Sequence, residues 1–275
     1  MTSNFVDVGF VEAGFAGEVD PARQVAFGTE LNDLVGFPTS IRDSDGVESN
    51  ADISQLEISL LDGNDTLNGS NVDTSAVGNG TALIVLGNTG NDNLTGTSST
   101  DSLFGGQDQD EIDGFGGNDQ VFGNLGDDTL AGALGDDFVF GGQGNDVVSG
   151  GPGNNVVFGD LGDDTLIGST GVDTLTGGPG VDRFFIAELP NTTDPAAVSL
   201  ITDFSTVPGE TDGIQFIVPS VASFISISPL QTIQTSGGPI EGFLISDITG
   251  TNALLVVQNN PNITRPLEIN DFLNF

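Results

Sequence analysis

The chain has 275 residues, 40 of them acidic and 4 basic, for a formal net charge of −36. The basic residues are all arginine (Arg23, Arg42, Arg183 and Arg265), and there is no Lys, His, Cys, Trp or Tyr. These absences exclude a zinc site of the usual His/Cys kind and any Ser-His-Asp or Cys-His nucleophile. Without clustered positive charge, nucleic acid is excluded as a partner as well.

A charge of this size opposes compaction by self-repulsion. Yet 36% of the residues are hydrophobic, too many for a disordered acidic tail. An acidic chain that also forms a core is expected to fold with bound cations. The start, Met1-Thr2-Ser3-Asn4-Phe5, has neither a positive n-region nor an apolar h-region, so no cleaved secretory signal is expected. No apolar run reaches about 18 residues, and no membrane span is expected.

Residues 1–50 hold scattered Phe and Gly, with a short helix predicted around Glu30-Leu31-Asn32-Asp33-Leu34. They read as an N-terminal cap or an interaction segment, and the sequence leaves both open. Residues 51–86 follow a nine-residue frame only weakly. Gly63 and Asp65 fall at positions four and six of that frame, and Ile58 and Val85 at position eight. Leu83 stands where an acid is expected, so this stretch reads as degenerate coils of a repeat.

From Gly87 to Phe185 the frame is strict, with eleven nine-residue blocks and no insertion. Position one is Gly in all eleven; position four is Gly in nine, with Ser99 and Asp108 the exceptions. Position six is Asp in ten, Asn155 being the exception, and position eight is always a large apolar residue, from Leu94 to Phe184. Gly-rich hexads make tight turns. The last three residues make a short strand with position eight pointing inward. Two blocks then make one coil, and coils stack at about 4.8 Å as parallel strands do. The predicted fold is all-β, a parallel β-roll over residues 51–185 with a thin core of position-eight side chains. Stacked acidic turns favour calcium, which takes six to eight oxygen ligands flexibly, over magnesium, which demands a strict octahedron.

A second pattern lies outside the repeat. Phe104, Phe122, Phe140 and Phe158 recur every eighteen residues at position nine and are expected to stack on one sheet, pointing outward. A terminal segment covering them, a protein–protein interface and a partial inward turn of position nine all remain open.

After Phe185 the repeat stops. Residues 186–275 carry apolar stretches such as Phe216-Ile217-Val218 and Ala253-Leu254-Leu255-Val256-Val257, punctuated by Pro and Gly. A solenoid end exposes strand edges, so a C-terminal β cap is expected here.

The blocks resemble the calcium-binding nonapeptide repeats of RTX proteins, G-G-x-G-x-D-x-U-x, over at least residues 87–185. The resemblance implies calcium ions sandwiched between the turns of adjacent coils, held by position-six side chains and turn carbonyls. The implied ligands along one edge are Asp92, Asp110, Asp128, Asp146, Asp164 and Asp182. Along the other edge they are Asp101, Asp119, Asp137, Asn155 and Asp173. If every gap fills, up to about nine ions bind on the family's geometry. Gaps beside Asn155, a neutral ligand, and beside Ser99 or Asp108 should be weaker.

The segments Leu200-Ile201-Thr202-Asp203-Phe204 and Asp212-Gly213-Ile214 look like those that close many RTX rolls. The last residues, Asn270-Asp271-Phe272-Leu273-Asn274-Phe275, look like an uncleaved type I secretion signal or an ordinary final strand. The expected function is that of a secreted, extracellular or cell-surface calcium-binding protein with a structural or interaction role, such as an S-layer or matrix component. It is not expected to be an enzyme. The alternative is a non-catalytic accessory module, or a polysaccharide-acting enzyme working with two carboxylates. An ice-binding face is disfavoured because Thr129, Thr165 and Thr174 are too sparse for an outward array.

Overall fold

The computed structural model describes residues 55–60, 63–69, 82–186, 192, 194–216, 225–247, 253–258, 260–265 and 267–268, plus the backbone of short strands between Val6 and Asp43. The chain divides into two compact units, Met1–Gly135 and Asp136–Phe275.

In the first unit the nonapeptide register becomes two parallel sheets. One takes Val25–Phe27, Gln55–Ser59, Ala82–Thr89, Ser102–Gln107 and Gln120–Leu125, each beside the next. The other takes Leu34–Gly36, Thr66–Asn68, Asn93–Thr95, Glu111–Asp113 and Thr129–Ala131. Identical positions pair across one full coil, as Leu103 with Val121 and Ile112 with Leu130. This in-register stacking follows from a repeat without insertions, because any slip would carry the apolar face to solvent. Leu34, read as the end of a short helix, instead opens the strand Leu34–Gly36. Glu30 to Asp33 lie outside the described residues.

The second unit continues the same plan. Phe138–Gln143, Val156–Leu161, Thr174–Thr176 and Leu200–Ile201 form one parallel series. Val147–Ser149, Thr165–Gly168, Arg183–Ile186 and Gly213–Phe216 form the other. Past the repeat, Ala253–Gln258 adds parallel to Leu200–Ile201. Gly238–Asp247 then turns the sheet antiparallel, pairing with Ala253–Gln258, Gln231–Thr235 and Ile225–Ile227. Val198, Ile233 and Val256 form a small core there, with Leu200, Ile240 and Leu244 packed against it.

All eleven position-eight side chains, from Leu94 to Phe184, are buried, none more than 1% exposed. Ile58 and Val85 join them at 0%. The position-nine rings are half-buried. Phe104 stacks on Phe122 with centroids 4.7 Å apart in the first unit, and Phe140 on Phe158 at 4.9 Å in the second.

Candidate metal centre

The turns fall into two series by the strand that feeds them. The first series ends in Asp92, Asp110, Asp128, Asp146, Asp164 and Asp182; the second ends in Asp101, Asp119, Asp137, Asn155 and Asp173. Most strands entering the first series run on through the turn's third residue, so Gly106 and Gln107 still pair with Asn124 and Leu125. Most strands entering the second series stop before the turn, as Glu111–Asp113 and Val147–Ser149 do, although Thr165–Gly168 reaches the turn's first residue.

All eleven position-six side chains are buried, at 3% exposure or less. One oxygen of each described pair closes the stack. Asp110 Oδ1 accepts the Asp92 amide N–H at 2.8 Å, Asp128 Oδ1 that of Asp110 at 2.8 Å, and Asp119 Oδ1 that of Asp101 at 2.7 Å. In the second unit Asp164 Oδ1 accepts from Asp146 at 2.8 Å, and Asp182 Oδ1 from Asp164 at 3.0 Å. The column reaches upstream to Asp65, whose N–H donates to Asp92 Oδ1 at 2.7 Å.

The second oxygen is different. Oδ2 of Asp92, Asp110, Asp164 and Asp182 is buried with no hydrogen-bond partner. An anionic oxygen held this way is costly unless a cation meets it. It tucks against the position-one glycine of its own turn: a Cβ on Gly87, Gly105, Gly159 or Gly177 would strike it. A carbonyl from the next coil arrives at the same place, that of Gly177 lying 2.6 Å from where the Gly159 Cβ would stand. The invariant first glycine is thus a requirement of close approach. Among the described residues no three acidic side chains gather at one point. A bound cation would therefore draw most of its ligands from backbone carbonyls, which suits the oxygen-rich, flexible shell of calcium.

Burial also raises the carboxyls' affinity for protons. It pushes Asp92 and Asp110 up to about 7 and Asp164 to about 6. Asp182 reaches about 8, through burial first and then the charges of Asp212, Asp164 and Asp203.

Three turns of the second series are built otherwise. Both oxygens of Asp101 are engaged by protein: Oδ1 accepts from the Leu83 N–H at 2.7 Å, and Oδ2 from the Thr97 N–H at 2.5 Å and its hydroxyl at 2.9 Å. Asp173 takes the Ser169 N–H on Oδ2 at 3.1 Å and the Asn155 N–H on Oδ1 at 3.0 Å. Asn155 gives Oδ1 to the Asp137 N–H at 2.9 Å and points Nδ2, a donor, at Gly151 O at 2.8 Å. The sequence presented Asn155 as a source of a neutral ligand oxygen; here that oxygen is already engaged.

Sequence reasoning missed the residues that end the columns. Asp212 Oδ1 accepts the Asp182 N–H at 3.0 Å, thirty residues on, and Ser199 Oγ accepts that of Asp173 at 3.1 Å. Asp203 caps the last repeat turn, receiving the N–H groups of Gly177 and Gly178 at 2.9 and 2.7 Å. The segments of Asp203 and Asp212 both look like roll-closing ones in sequence, but a fixed eighteen-residue spacing does not reach these positions across longer loops.

Two stacked parallel sheets joined by buried acidic turns define a calcium-type β-roll. The family model of the RTX calcium-binding nonapeptide repeat matches four times, at residues 86–121, 113–148, 122–157 and 149–184. Residues 86–184 are therefore an RTX repeat array, and such repeats bind calcium. No curated protein matches the chain.

Proposed function

We propose that this is a secreted structural or interaction protein of the cell exterior, folding when calcium fills its turns. The carrying observation is the buried, unpartnered Oδ2 of Asp92, Asp110, Asp164 and Asp182. A turn built around such oxygens is unstable alone and stable around a cation, so binding energy becomes folding energy. The array from Gly87 to Phe185 carries 17 acids and one Arg. Without calcium this segment is largely disordered. Circular dichroism in chelator and then in millimolar calcium tests the reading: coil should turn to β. An unchanged β signal in chelator overturns it.

Self-association or a protein partner at Phe104, Phe122, Phe140 and Phe158 belongs to the same proposal, supported by their partial exposure. Export through the C-terminal signal is part of it too. Asn270–Phe275 lie outside the described residues, and deleting them should leave the protein inside cells that carry the matching exporter.

A further inference from the structure

The two series of turns are alike in their acids but differ at position two. In the first series this position holds Asn88, Gly106, Asn124, Gly142, Asp160 and Gly178. All six have left-handed backbone, with φ between 72° and 120°. Gly, Asn and Asp are the residues that take this conformation at least cost. In the second series, position two is Thr97, Phe115, Ala133, Gly151 and Ser169, of which Phe115, Ala133 and Gly151 are left-handed as well, with φ of 69°, 69° and 82°. Thr97 and Ser169 are not left-handed, and a β-branched Thr is poorly suited to be. Their peptide N–H instead turns into the loop and donates to the Asp Oδ2 four residues on. In the turn of Asn155 the side-chain Nδ2 closes the loop on Gly151 O.

We propose that calcium loads unequally: the first-series turns take ions, whereas the turns Gly96–Asp101, Gly150–Asn155 and Gly168–Asp173 are closed by their own hydrogen bonds and take none. This rests on the calcium reading above and divides it. Two independent features support it. The atom that would meet the ion is orphaned at Asp92, Asp110, Asp164 and Asp182, and engaged at Asp101 and Asp173. The strands entering most first-series turns also carry their pairing into the turn, which holds successive carbonyls in register. Closed turns need no ion to satisfy their polar groups and still supply the coil's second corner.

Equilibrium dialysis of the full chain against radiolabelled calcium counts the ions bound. Asp110→Asn and Asp164→Asn should each lower the count by one or more, and Asp101→Asn and Asp173→Asn should leave it at the wild-type value. An equal loss in all four overturns the division. If Asp101→Asn or Asp173→Asn does not fold, Thr97→Gly and Ser169→Gly decide. Each removes the residue that keeps position two out of the left-handed region, and each should add an ion to the count. An unchanged count in both overturns the proposal. A wild-type chain that binds no calcium at all would instead refute the calcium reading itself.

Discussion

Exchanging an oxygen for a nitrogen at residue 155 changes what its turn requires. Asn155→Asp would set a carboxylate oxygen against Gly151 O, where Nδ2 now donates at 2.8 Å. At calcium just sufficient to fold the roll, this variant should lose about 1–3 kcal/mol, the cost of a buried polar group left facing its like. In saturating calcium it should recover, because the ion supplies what the amide hydrogen did. Thermal melts at the two calcium levels check this, and melting points equal to wild type at the lower level refute it. Glycine offers a sharper contrast. Gly105→Ala drives a Cβ into Asp110 Oδ2 and should cost about 1–3 kcal/mol and weaken calcium binding. Gly116→Ala meets nothing closer than 3.8 Å and should be near neutral. Melting both variants in saturating calcium separates steric demand from mere repeat consensus.

At the scale of the element, the repeat dictates pairing almost completely. Position eight is inward in every block because strands alternate faces and the register never slips. What the repeat could not disclose is the contrast between turns. At Thr97 and Ser169 that follows backbone sign at position two, at Gly151 (φ 82°) it comes from the Asn155 side chain, and Phe115 and Ala133, with φ of 69°, show that identity alone does not fix the sign. Where loops lengthen after Ile186 the spacing rule fails, and Ser199 and Asp212 were invisible to it. Phe104 lies over Phe122 in the first unit and Phe140 over Phe158 in the second, and all four rings stay half-buried. A parallel stack contributes about 0.5–1.5 kcal/mol beyond its buried area. Phe122→Ser should therefore lower the calcium-saturated stability by about 1–3 kcal/mol while Val121 still fills the core. Sedimentation velocity on the same variant reads assembly separately: a smaller species than wild type marks a shared surface, and an unchanged mass rules it out.

For the whole molecule, calcium and protons compete for the same oxygens. Burial lets the carboxyls of Asp92, Asp110 and Asp182 hold protons up to about 7–8, against an ordinary value of 3.8. A raised value in the folded state means the calcium-free roll binds more protons than the open chain does. Its stability from these groups is fully present below about pH 4 and is lost as pH rises through about 6 to 8. In chelator, β structure should grow as pH falls from about 8 to 5. Calcium affinity should move the opposite way and strengthen as pH rises. Circular dichroism and calcium titration across that range must show opposing slopes; parallel slopes would sink the linkage.

The hydrogen bond between successive position-six residues also has a direction. The N–H always comes from the earlier coil and the oxygen from the later one, from Asp65 to Asp92 onward in the first unit and from Asp146 to Asp164, Asp182 and finally Asp212 in the second. Asp212 ends its chain by closing on Ser205, giving Oδ2 to that residue's N–H and its own N–H to that residue's carbonyl. At position six each winding is thus finished by the one that follows it in sequence, whereas the exposed position-five bonds run the other way, as from the Gln109 N–H to Asn91 Oδ1 and from the Val181 N–H to Asp163 Oδ1. Trimming windings from the front strands the buried acceptors of position six, which a cation can satisfy. Trimming from the back strands its buried donors, which no cation can satisfy. Calcium can therefore make good a front end cut short, and a back end only with the help of water.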